Sequence, residues 1–487
     1  MCLTAARDLE RRKTLFVGFA KWLTSPMLLL IAGGVTPCHA SVSIQAEPSV
    51  FTRYVVFHCN VSEPVPQYLS IYDITGAMVW GRQFGIGGHQ FPVAWDGTSV
   101  PSGEYFVRLD AGGEHASCRI VRLGWGDKPV VKTMNRWLTA RAVSLAGATT
   151  AAQTEADILP SNPAQVYLTR TVAGGIVYGG LQPSLWPGMA SVAGGARVEY
   201  EIKQQRVASG LYAVFNSYGE SDVVNERGDL LGTRTSGDFQ WGAEASAALL
   251  GGKVSLGCRA GWVHSWLVPQ WVLDKMPELK LAAGGEADGV AMDFGIRANA
   301  SSRVSVGLSV NNLGVGLDYT PAEFLETGNE PYPTTLRLGL AYTPVRREHV
   351  VVSIAPEVDK VLVGMFSDTT GTRSFGQQLR DELRDAWKSI GFEGTYSAEP
   401  LALSARLGYV EDLTGNRGGI VFEHDGATSH VGLGDLLARR GLGRFKSLEF
   451  CFGVGIEYAR LRLDLGSEHV SDFPTANYKL SLTYAGR

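Results

Sequence analysis

The sequence predicts an all-β protein, in which a transmembrane antiparallel β-barrel of about 14 strands follows a plug segment and a small β-sandwich domain. Three observations predict this fold class. From residue 169 onward, segments of about ten residues alternate strictly between apolar and polar or small residues. Glycine is abundant, at 59 of 487 residues, and charged residues make up only 19%. After residue 40 there is no run of apolar residues long enough to form a membrane-spanning helix.

The first forty residues have the pattern of a targeting segment. Basic residues up to Lys21 precede a short apolar core at 26–35, and Ala40 stands where signal peptidase would cut. An N-terminal membrane anchor is the alternative interpretation. It requires about 20 uninterrupted apolar residues, and Lys21 interrupts the run. The sequence therefore predicts an exported protein with a signal peptide at residues 1–40.

Residues 41–124 contain short strand-like runs separated by turn residues, which predicts a small β domain. Asp96-Gly97 predicts a tight turn, and Pro101 with Gly103 predicts a second turn before Tyr105 enters the core. The run from Trp95 to Tyr105 resembles the corner of FlgD-type immunoglobulin-like domains, which occur as adaptor modules in exported bacterial proteins. The resemblance implies adhesion or docking, with a periplasmic or secretion protein as the candidate partner.

The four cysteines beyond the predicted signal peptide divide into two groups. Cys59 and Cys118 lie near the two ends of the small β domain and form a candidate disulfide in an oxidising compartment. Cys258 and Cys451 each stand alone on an apolar strand face. We expect these two to be small core or lipid-facing groups rather than ligands.

The alternation after residue 169 fits a membrane barrel better than a soluble sandwich. Strands of soluble sandwiches average about six residues, and their solvent-facing positions rarely hold so much glycine. A barrel strand needs nine to eleven residues, with an apolar outer face and a small or polar inner face. The fourteen predicted strands lie near 169–180, 195–204, 208–218, 237–250, 253–264, 288–299, 302–311, 334–344, 348–357, 389–398, 401–410, 417–424, 447–459 and 476–485.

Two places depart from the simple strand pattern. A long insertion at 358–388 carries apolar residues at helical spacing, which predicts an amphipathic helix on the barrel rim or, alternatively, at the membrane surface or over a ligand. These residues are Phe375, Leu379, Leu383 and Trp387. After Tyr458 the apolar parity shifts to Leu461, which indicates a bulge or an extra short strand.

Residues 125–168 form a connector rich in Ala and Thr that contains the irregular stretch EADILPSNPAQ (155–165). Pro163 cannot donate a ladder hydrogen bond, and the Asn162 side chain can bond nearby backbone instead of secondary structure. Irregular backbone at membrane depth is tolerated only where protein or water shields it. The stretch therefore predicts a plug inside the barrel, with an ordinary turn into the first strand as the alternative.

The connector and the strand after it resemble the N-terminal plug, or hatch, of FadL-type outer-membrane transporters, a group that includes spirochaete FadL-like and PorV-like barrels. The matching plug and substrate-gating positions are Asp157, Asn162, Pro163 and Ala164. The resemblance implies a fourteen-strand outer-membrane barrel that passes long-chain fatty acids or other hydrophobic small molecules by passive diffusion. It also implies a lateral exit at a kinked strand. The candidate kink residues are Gly174, Gly175, Gly179 and Gly180 in the first strand or, alternatively, Gly194 and Gly195 at the start of the second.

Two other functions stay open at this stage. PorV-like barrels dock and shuttle secreted substrates, and the small β domain before the plug favours this alternative. A structural, surface-exposed barrel without transport is the second. In each case the expected location is the outer membrane, with outer-membrane lipid as a partner and the N-terminal domain in the periplasm.

Catalysis and nucleic-acid binding are not expected. The chain has no HExxH, GxSxG or Walker loop, and its histidines lack metal-ligand spacing. We therefore expect no enzyme activity, no cofactor and no metal site. The net charge of −4, without a basic stripe, argues against a nucleic-acid partner.

Overall fold

The computed structural model describes residues 42–487, apart from several excluded segments. The excluded segments are 86–89, 125, 127, 136, 153–156, 166–171, 182–185, 187, 282–283, 321–328, 366–373, 413–416, 425–426, 434–435, 437–443, 470–476 and 487. The predicted signal peptide lies outside the described residues.

Two β-sheets that share one hydrophobic core form the N-terminal sandwich, Val42–Arg122. The first sheet has three strands, in the order β1-β3-β6, and the second has five, in the order β2-β8-β7-β4-β5. The strands are β1 (Val42–Glu47), β2 (Val50–Phe51), β3 (Tyr54–Val61), β4 (Gln67–Asp73), β5 (Met78–Phe84), β6 (Gln90–Asp96), β7 (Gly103–Ala111) and β8 (Glu114–Arg122). Phe57 from the first sheet and Leu69 and Ile120 from the second are fully buried in the shared core.

The corner between β6 and β7 is built as the sequence indicates. The Asp96 carboxylate accepts a hydrogen bond from the Thr98 amide at 3.0 Å and caps a short 3-10 turn that begins at Gly97. The Tyr105 hydroxyl donates to the Pro101 carbonyl at 2.7 Å. The Tyr105 ring lies edge-on to Trp95, with 6.0 Å between ring centroids. Both turns therefore position aromatic side chains in the core.

Cys59 and Cys118 both contribute to the sandwich core, from opposite sheets. Both are free thiols in the structure. Burial raises the pKa of Cys59 to about 12, and burial together with the neighbouring Cys59 raises the pKa of Cys118. The candidate disulfide is thus not formed in this structure, and its formation after export stays a prediction.

A closed antiparallel barrel of fourteen wall strands follows. The wall forms a single sheet with a fifteenth, two-residue strand attached, and the pairings β26–β9 and β18–β19 close the ring. The first eleven wall strands are β9 (Val172–Gly180), β10 (Ala190–Ile202), β11 (Gln205–Val224), β12 (Leu230–Leu249), β13 (Val254–Trp266), β14 (Glu286–Asn299), β15 (Val304–Gly314), β16 (Thr335–Arg346), β17 (Val350–Val361), β18 (Trp387–Ala398) and β19 (Leu401–Asp412). The predicted all-β barrel is confirmed.

The remaining strands correct one predicted element. Residues 417–424 do not form a wall strand: β20 is the attached two-residue strand, and β21 belongs to a separate sheet with β22 and β23. Gly418 and Gly419 both have positive φ, which turns the chain away from the wall. The short strands are β20 (Arg417–Gly418), β21 (Ile420–His424), β22 (Ala427–Val431) and β23 (Arg444–Leu448).

The last three wall strands are β24 (Cys451–Tyr458), β25 (Leu461–Glu468) and β26 (Asn477–Gly486). The parity shift after Tyr458 is a hairpin, because Tyr458 pairs directly with Leu461. Ala459, in the two-residue turn, has a φ of 56°. Thus β25, the extra short strand left open by the sequence, takes the place of 417–424 and brings the number of wall strands to fourteen.

The barrel wall has an apolar outer face and a polar or small inner face. On β14 the outward residues Val290, Met292, Phe294 and Ile296 are exposed, whereas the alternating residues, such as Asp293, are buried inside. On β24 the exposed residues Phe452, Val454 and Ile456 alternate with glycine. This is the alternation of a wall that faces lipid on one side and a filled lumen on the other.

The two ends of the barrel differ. At the short-turn end β9 begins, β26 ends, and hairpins such as the one at 203–204 are tight. At the long-loop end the connections include 315–334, 362–386 and 413–450. The helices are α1 (Ala140–Ser144), which follows the sandwich, α2 (Gln270–Lys275) between β13 and β14, and α3 (Phe375–Asp385) between β17 and β18. The amphipathic helix predicted in the insertion is confirmed as α3, and Trp387 already belongs to β18. None of the described helices is long and apolar enough to cross a bilayer.

Candidate functional site

The connector enters the barrel and fills part of its lumen. α1 contacts β24, β25 and β26 from inside, and the Ala140 amide donates a hydrogen bond to Ser481 at 2.9 Å. Further along, Ala148, Ala151 and Ala164 are almost fully buried. We call the described residues between Trp137 and Gln165 the plug. A plug inside the lumen is what the irregular stretch predicts, rather than an ordinary turn into the first strand.

Glycines of the wall make room for the plug backbone. A Cβ atom added at any of five wall glycines would lie under 3.0 Å from a plug atom, closer than real side chains approach. These glycines and the plug residues against them are Gly466 with Ala140, Gly408 with Ala146, Gly307 with Thr150, Gly295 with Asn162, and Gly257 with Pro163. We call these five wall glycines the glycine track. The high glycine content of the chain is thus explained in part by the fit of the plug against the wall.

The Asn-Pro-Ala corner is bonded both to the plug and to the wall. Asn162 is fully buried, and its side-chain amide donates to the Thr150 carbonyl at 3.0 Å and to the Ile296 carbonyl of β14 at 3.1 Å. Its side-chain oxygen accepts from the Ala164 amide at 2.9 Å. Pro163 packs against Gly257 of the glycine track. The Asn162 side chain therefore replaces secondary structure at the corner, as the sequence predicts.

Asp157 holds the plug together through Arg141, a residue that sequence reasoning missed. The Arg141 guanidinium donates to Asp157 at 2.9 Å and to Glu393 of β18 at 2.7 Å. Arg406 of β19 also donates to Glu393, at 2.6 Å. Because these groups are nearly inaccessible to solvent, each charge depends on its partners. The available signal was that Arg141 is the one lysine or arginine in the sequence between Trp137 and Gln165.

A second charged cluster lies across the lumen. Arg259 of β13 donates to Glu244 at 2.9 Å and to Asp293 at 3.1 Å. The same guanidinium donates to the carbonyl of Pro160 in the plug at 3.0 Å. The Thr150 amide donates to Glu357 of β17 at 2.8 Å. The plug is therefore held by charge-assisted hydrogen bonds as well as by its fit to the glycine track.

A cavity of about 60 Å³ remains between the plug and the wall. It lies directly beside the Asn-Pro-Ala corner, since Pro160 and Ser161 line it. Apolar residues of the connector line one side of the cavity, and the wall side is mostly polar. The apolar lining residues include Met134, Trp137, Leu138 and Leu159, and the wall residues are Tyr212, Gln240, Arg259, Asp293, Asn311, Asn312 and Arg337.

The wall beside the cavity contains a β-bulge. The β14–β15 register steps from Met292↔Leu313 to Phe294↔Val310, so that Asn311 and Asn312 together oppose Asp293. Asn312 has a φ of 59°, and its backbone N–H donates to the Asp293 carboxylate at 2.7 Å. The sequence signal was an Asn-Asn pair within a strand, because asparagine tolerates the left-handed region.

The four glycines expected to kink the first strand lie in a regular ladder. The β9–β10 pairing runs without interruption from Val172↔Val198 to Gly180↔Ala190. Gly174, Gly175 and Gly179 also pair regularly with β26. No kink is present at these positions in the described structure, and their role in opening the wall stays a prediction.

The fold and the lumen define a closed, plugged β-barrel with a docked N-terminal sandwich. No family model matches the chain, and a search of curated proteins found no match. Among solved structures, the Pseudomonas putida toluene transporter TodX has a TM-score of 0.40 at 12% identity, over 74% of this chain and 99% of that chain. The CymD monoaromatic hydrocarbon channel has a TM-score of 0.41 at 12% identity, over 72% and 97%. The Ralstonia pickettii toluene transporter TbuX has a TM-score of 0.36 at 10% identity, over 71% and 98%. Likeness at this level carries no conclusion about a solute.

Proposed function

We propose that the protein is an outer-membrane barrel through which hydrophobic small molecules diffuse passively, gated by the plug. A closed barrel with an apolar outer face satisfies all of its backbone groups in lipid, which supports a membrane location. The resemblance of the Asn162-Pro163-Ala164 corner to FadL-type plugs supports transport. The single observation that carries the proposal is the plug seated on the glycine track beside an internal cavity.

The plug must move for a solute to pass. A dry cavity that accepts benzene measures roughly 150 Å³. The cavity at the corner is about 60 Å³. It therefore marks the place where a pocket can enlarge rather than an open channel. Movement of Leu138 or Leu159 away from the wall would add apolar surface to this pocket.

We propose that the bulge at Asn311 and Asn312 is the point where the wall opens sideways. The bulge interrupts the β14–β15 ladder, and Asp293, Asn311 and Asn312 all line the cavity. Opening the wall at an existing irregularity breaks fewer hydrogen bonds than opening a continuous ladder. This position replaces the first-strand glycines as our preferred lateral exit.

For the solute, the finer proposal is a long-chain fatty acid. The cavity presents apolar side chains, such as Trp137 and Leu159, opposite charged ones, such as Arg259 and Arg337. An amphipathic molecule with a long apolar part fits this division once the plug has moved. An aromatic hydrocarbon, which has no charged end, is the alternative that the transport assay should include.

Solute uptake into liposomes tests the proposal. Purified protein in vesicles should pass oleate or toluene faster than protein-free vesicles do. The Asn162→Ala variant, which removes three hydrogen bonds of the corner, should change the rate of passage. If wild-type vesicles pass neither solute above the empty control, the transport proposal is rejected.

The position of the sandwich bears on its side of the membrane. Ser49 bonds the end of β11 through its amide, which donates to the Val224 carbonyl at 2.9 Å. Glu104 of the sandwich pairs with Arg234 of β12. Both contacts lie at the long-loop end, and in outer-membrane barrels the long loops face the cell exterior. We therefore propose that the sandwich lies outside the cell rather than in the expected periplasm.

Docking of a partner protein through the sandwich is the second candidate function. The sandwich is fixed to the barrel rim by a large apolar contact, in which Val50 and Val121 pack with Val268 and other loop residues. With this geometry a docked partner would meet the long-loop end. Co-purification with a partner, lost when residues 41–124 are deleted, would favour docking over transport.

A further inference from the structure

The helix α3 is a self-contained amphipathic element in the β17–β18 connection. Ser374 and Gln377 form a capping box: the Ser374 amide donates to the Gln377 side chain at 2.9 Å, and the Gln377 amide donates to the Ser374 hydroxyl at 3.4 Å. The helix ends at Asp385, and β18 begins two residues later. The helix is therefore held close to the long-loop end of the barrel wall.

Two lysines place α3 on the outer face of the wall rather than over the lumen. Lys360 of β17 has the same parity as the exposed, outward-facing Val358, and it forms an ion pair with Glu382 of α3. Val358 pairs directly with Lys388 of β18, and cross-strand partners share one face of a sheet. The Lys388 ammonium donates to the Arg384 carbonyl at 3.2 Å. The two lysines that hold α3, Lys360 and Lys388, therefore both lie on the outward face of the wall.

The attachment lies at the height expected for a membrane interface. Lys360 is ten residues along β17 from Val350, at the short-turn end. At roughly 3.3 Å per residue and a tilt of about 40°, this corresponds to about 25 Å, which is the height of the apolar band of an outer-membrane barrel.

An aromatic stack on β13 marks a similar level. His264 is ten residues from the start of β13 and stacks between Trp262 and Trp266, at 5.5 Å from each ring. Indole rings on the outer face of a barrel concentrate at the headgroup level. The apolar band therefore ends at about the same level on β13, where the aromatic stack lies, as on β17 and β18, where the two lysines lie.

The apolar stripe of α3 adjoins this band. Phe375, Leu379 and Leu383 recur every four residues and are 69%, 40% and 58% exposed. Leu379 lies on the same side of the helix as Glu382, which contacts the wall. The side opposite the apolar stripe carries the charged residues Asp381 and Arg384. A short helix with one apolar and one charged face, lying at this level, has the features of an interfacial helix.

We propose that α3 lies in the outer surface of the membrane, with Phe375, Leu379 and Leu383 inserted at the boundary between headgroups and acyl chains. The occupant of the apolar stripe is therefore lipid. The inference rests on the proposed function only in that the barrel must span a membrane. It adds a lipid contact outside the barrel wall, through which the β17–β18 connection is anchored to the bilayer.

Site-specific probes in reconstituted vesicles test this inference. Variants of the full chain would keep a single cysteine and replace the others with alanine. One variant keeps the native Cys258, which is exposed on the outer face of β13, one carries Leu379→Cys, and one carries Arg384→Cys. Each is labelled with an environment-sensitive fluorophore, and quenching is measured with acyl-chain spin-labelled lipid and with aqueous iodide.

The expected result is strong lipid quenching at 258 and 379, and at least threefold weaker lipid quenching at 384. The quenching at 379 should not change when the protein is diluted a hundredfold with lipid. Equal, iodide-accessible signals at 379 and 384, with 258 still quenched by lipid, would overturn the inference and leave the barrel in the membrane. If position 379 is shielded from iodide but becomes accessible to iodide when the protein is diluted with lipid, the inference is also overturned. In that case a second copy of the chain would cover the apolar stripe. Failure of lipid quenching at 258 would reject the membrane barrel and this inference together.

Discussion

Asn162 of the plug lies directly against Gly295 of β14, so closely that no side-chain carbon fits between them. A Cβ added at Gly295 would overlap the Asn162 side-chain oxygen and also approach Pro163. At the same time the Asn162 amide group is bonded to the carbonyl of Ile296, the next residue of β14. The position of the corner therefore depends on the side-chain amide of one residue and on the missing side chain of the other.

Gly295→Ala is expected to displace the corner without changing the wall. The added methyl group meets plug atoms that are held by three hydrogen bonds, so overpacking should destabilise the seated plug by about 1–3 kcal/mol. Hydrogen exchange at the Ala164 amide should become faster, and solute passage through vesicles should rise. Gly394→Ala is the matched control, because a Cβ at Gly394 has no atom within 4 Å. Equal protection of Ala164 in both variants would contradict the importance of the glycine track.

Arg141→Met is expected to loosen the plug more strongly than Gly295→Ala. The substitution removes both ion pairs of Arg141 and leaves Asp157 as a buried carboxylate without this partner. Breaking a buried ion pair from one side typically costs about 3–5 kcal/mol. The barrel should stay folded, so that unheated and heated samples still migrate differently on a denaturing gel. Protease cleavage within the plug should increase. Lys275→Met, a change of an exposed residue at the end of α2 and outside the plug, serves as the control and should leave plug cleavage unchanged.

A disulfide across the bulge tests the proposed lateral opening. Met292 and Leu313 are register partners, and both face outward, so that cysteines at these positions can be oxidised to lock β14 to β15. We expect oxidation of this pair to reduce solute passage at least fivefold and reduction to restore it. The control pair is Ile456→Cys with Leu463→Cys, which are partners in the continuous β24–β25 ladder. Equal passage in oxidised and reduced forms of the Met292–Leu313 pair would exclude an exit at the bulge.

The sequence predicted the strands well because each wall strand alternates apolar and polar residues, and this periodicity is a local property. It failed at 417–424, where the alternation is present but paired glycines send the chain into another sheet. It identified the Asn-Pro-Ala corner, since proline and asparagine act locally. It could not identify Arg141–Glu393 or Asn162–Gly295, because these contacts join residues more than a hundred positions apart.

The side of the membrane on which the sandwich lies can be measured directly. If the long-loop end is exterior, protease added to intact cells should cleave exposed positions of the sandwich, such as those near Tyr54 and Glu114. A tag inserted at the tight hairpin at 203–204 should then be protected. The reverse pattern would return the sandwich to the periplasm and contradict the orientation proposed here.

The junction between the sandwich and the β15–β16 connection is expected to weaken as pH rises. Burial raises the pKa of Glu330 to about 7, although the Ser102 amide, which donates to its carboxyl group at 2.7 Å, and Arg122 both act to lower it. An exposed glutamate has a pKa near 4.5. Between these two values the closed junction holds a proton that the opened junction releases, so its stability is highest below about pH 4.5 and declines up to about pH 7, by on the order of 3 kcal/mol.

Glu330→Gln should make this profile flat, because glutamine stays neutral and keeps an acceptor for the Ser102 amide. The measurement is the exchange protection of the Ser102 amide between pH 5 and 8, corrected for the intrinsic pH dependence of exchange. Glu104 does not interfere in this range. Burial alone would raise the pKa of Glu104, but Arg119 and Arg234 outweigh burial and lower it to about 2, so its contribution is lost only as pH falls below about 4.5. A wild-type profile that is already flat, or a Glu330→Gln profile that still declines, would show that Glu330 does not control the junction.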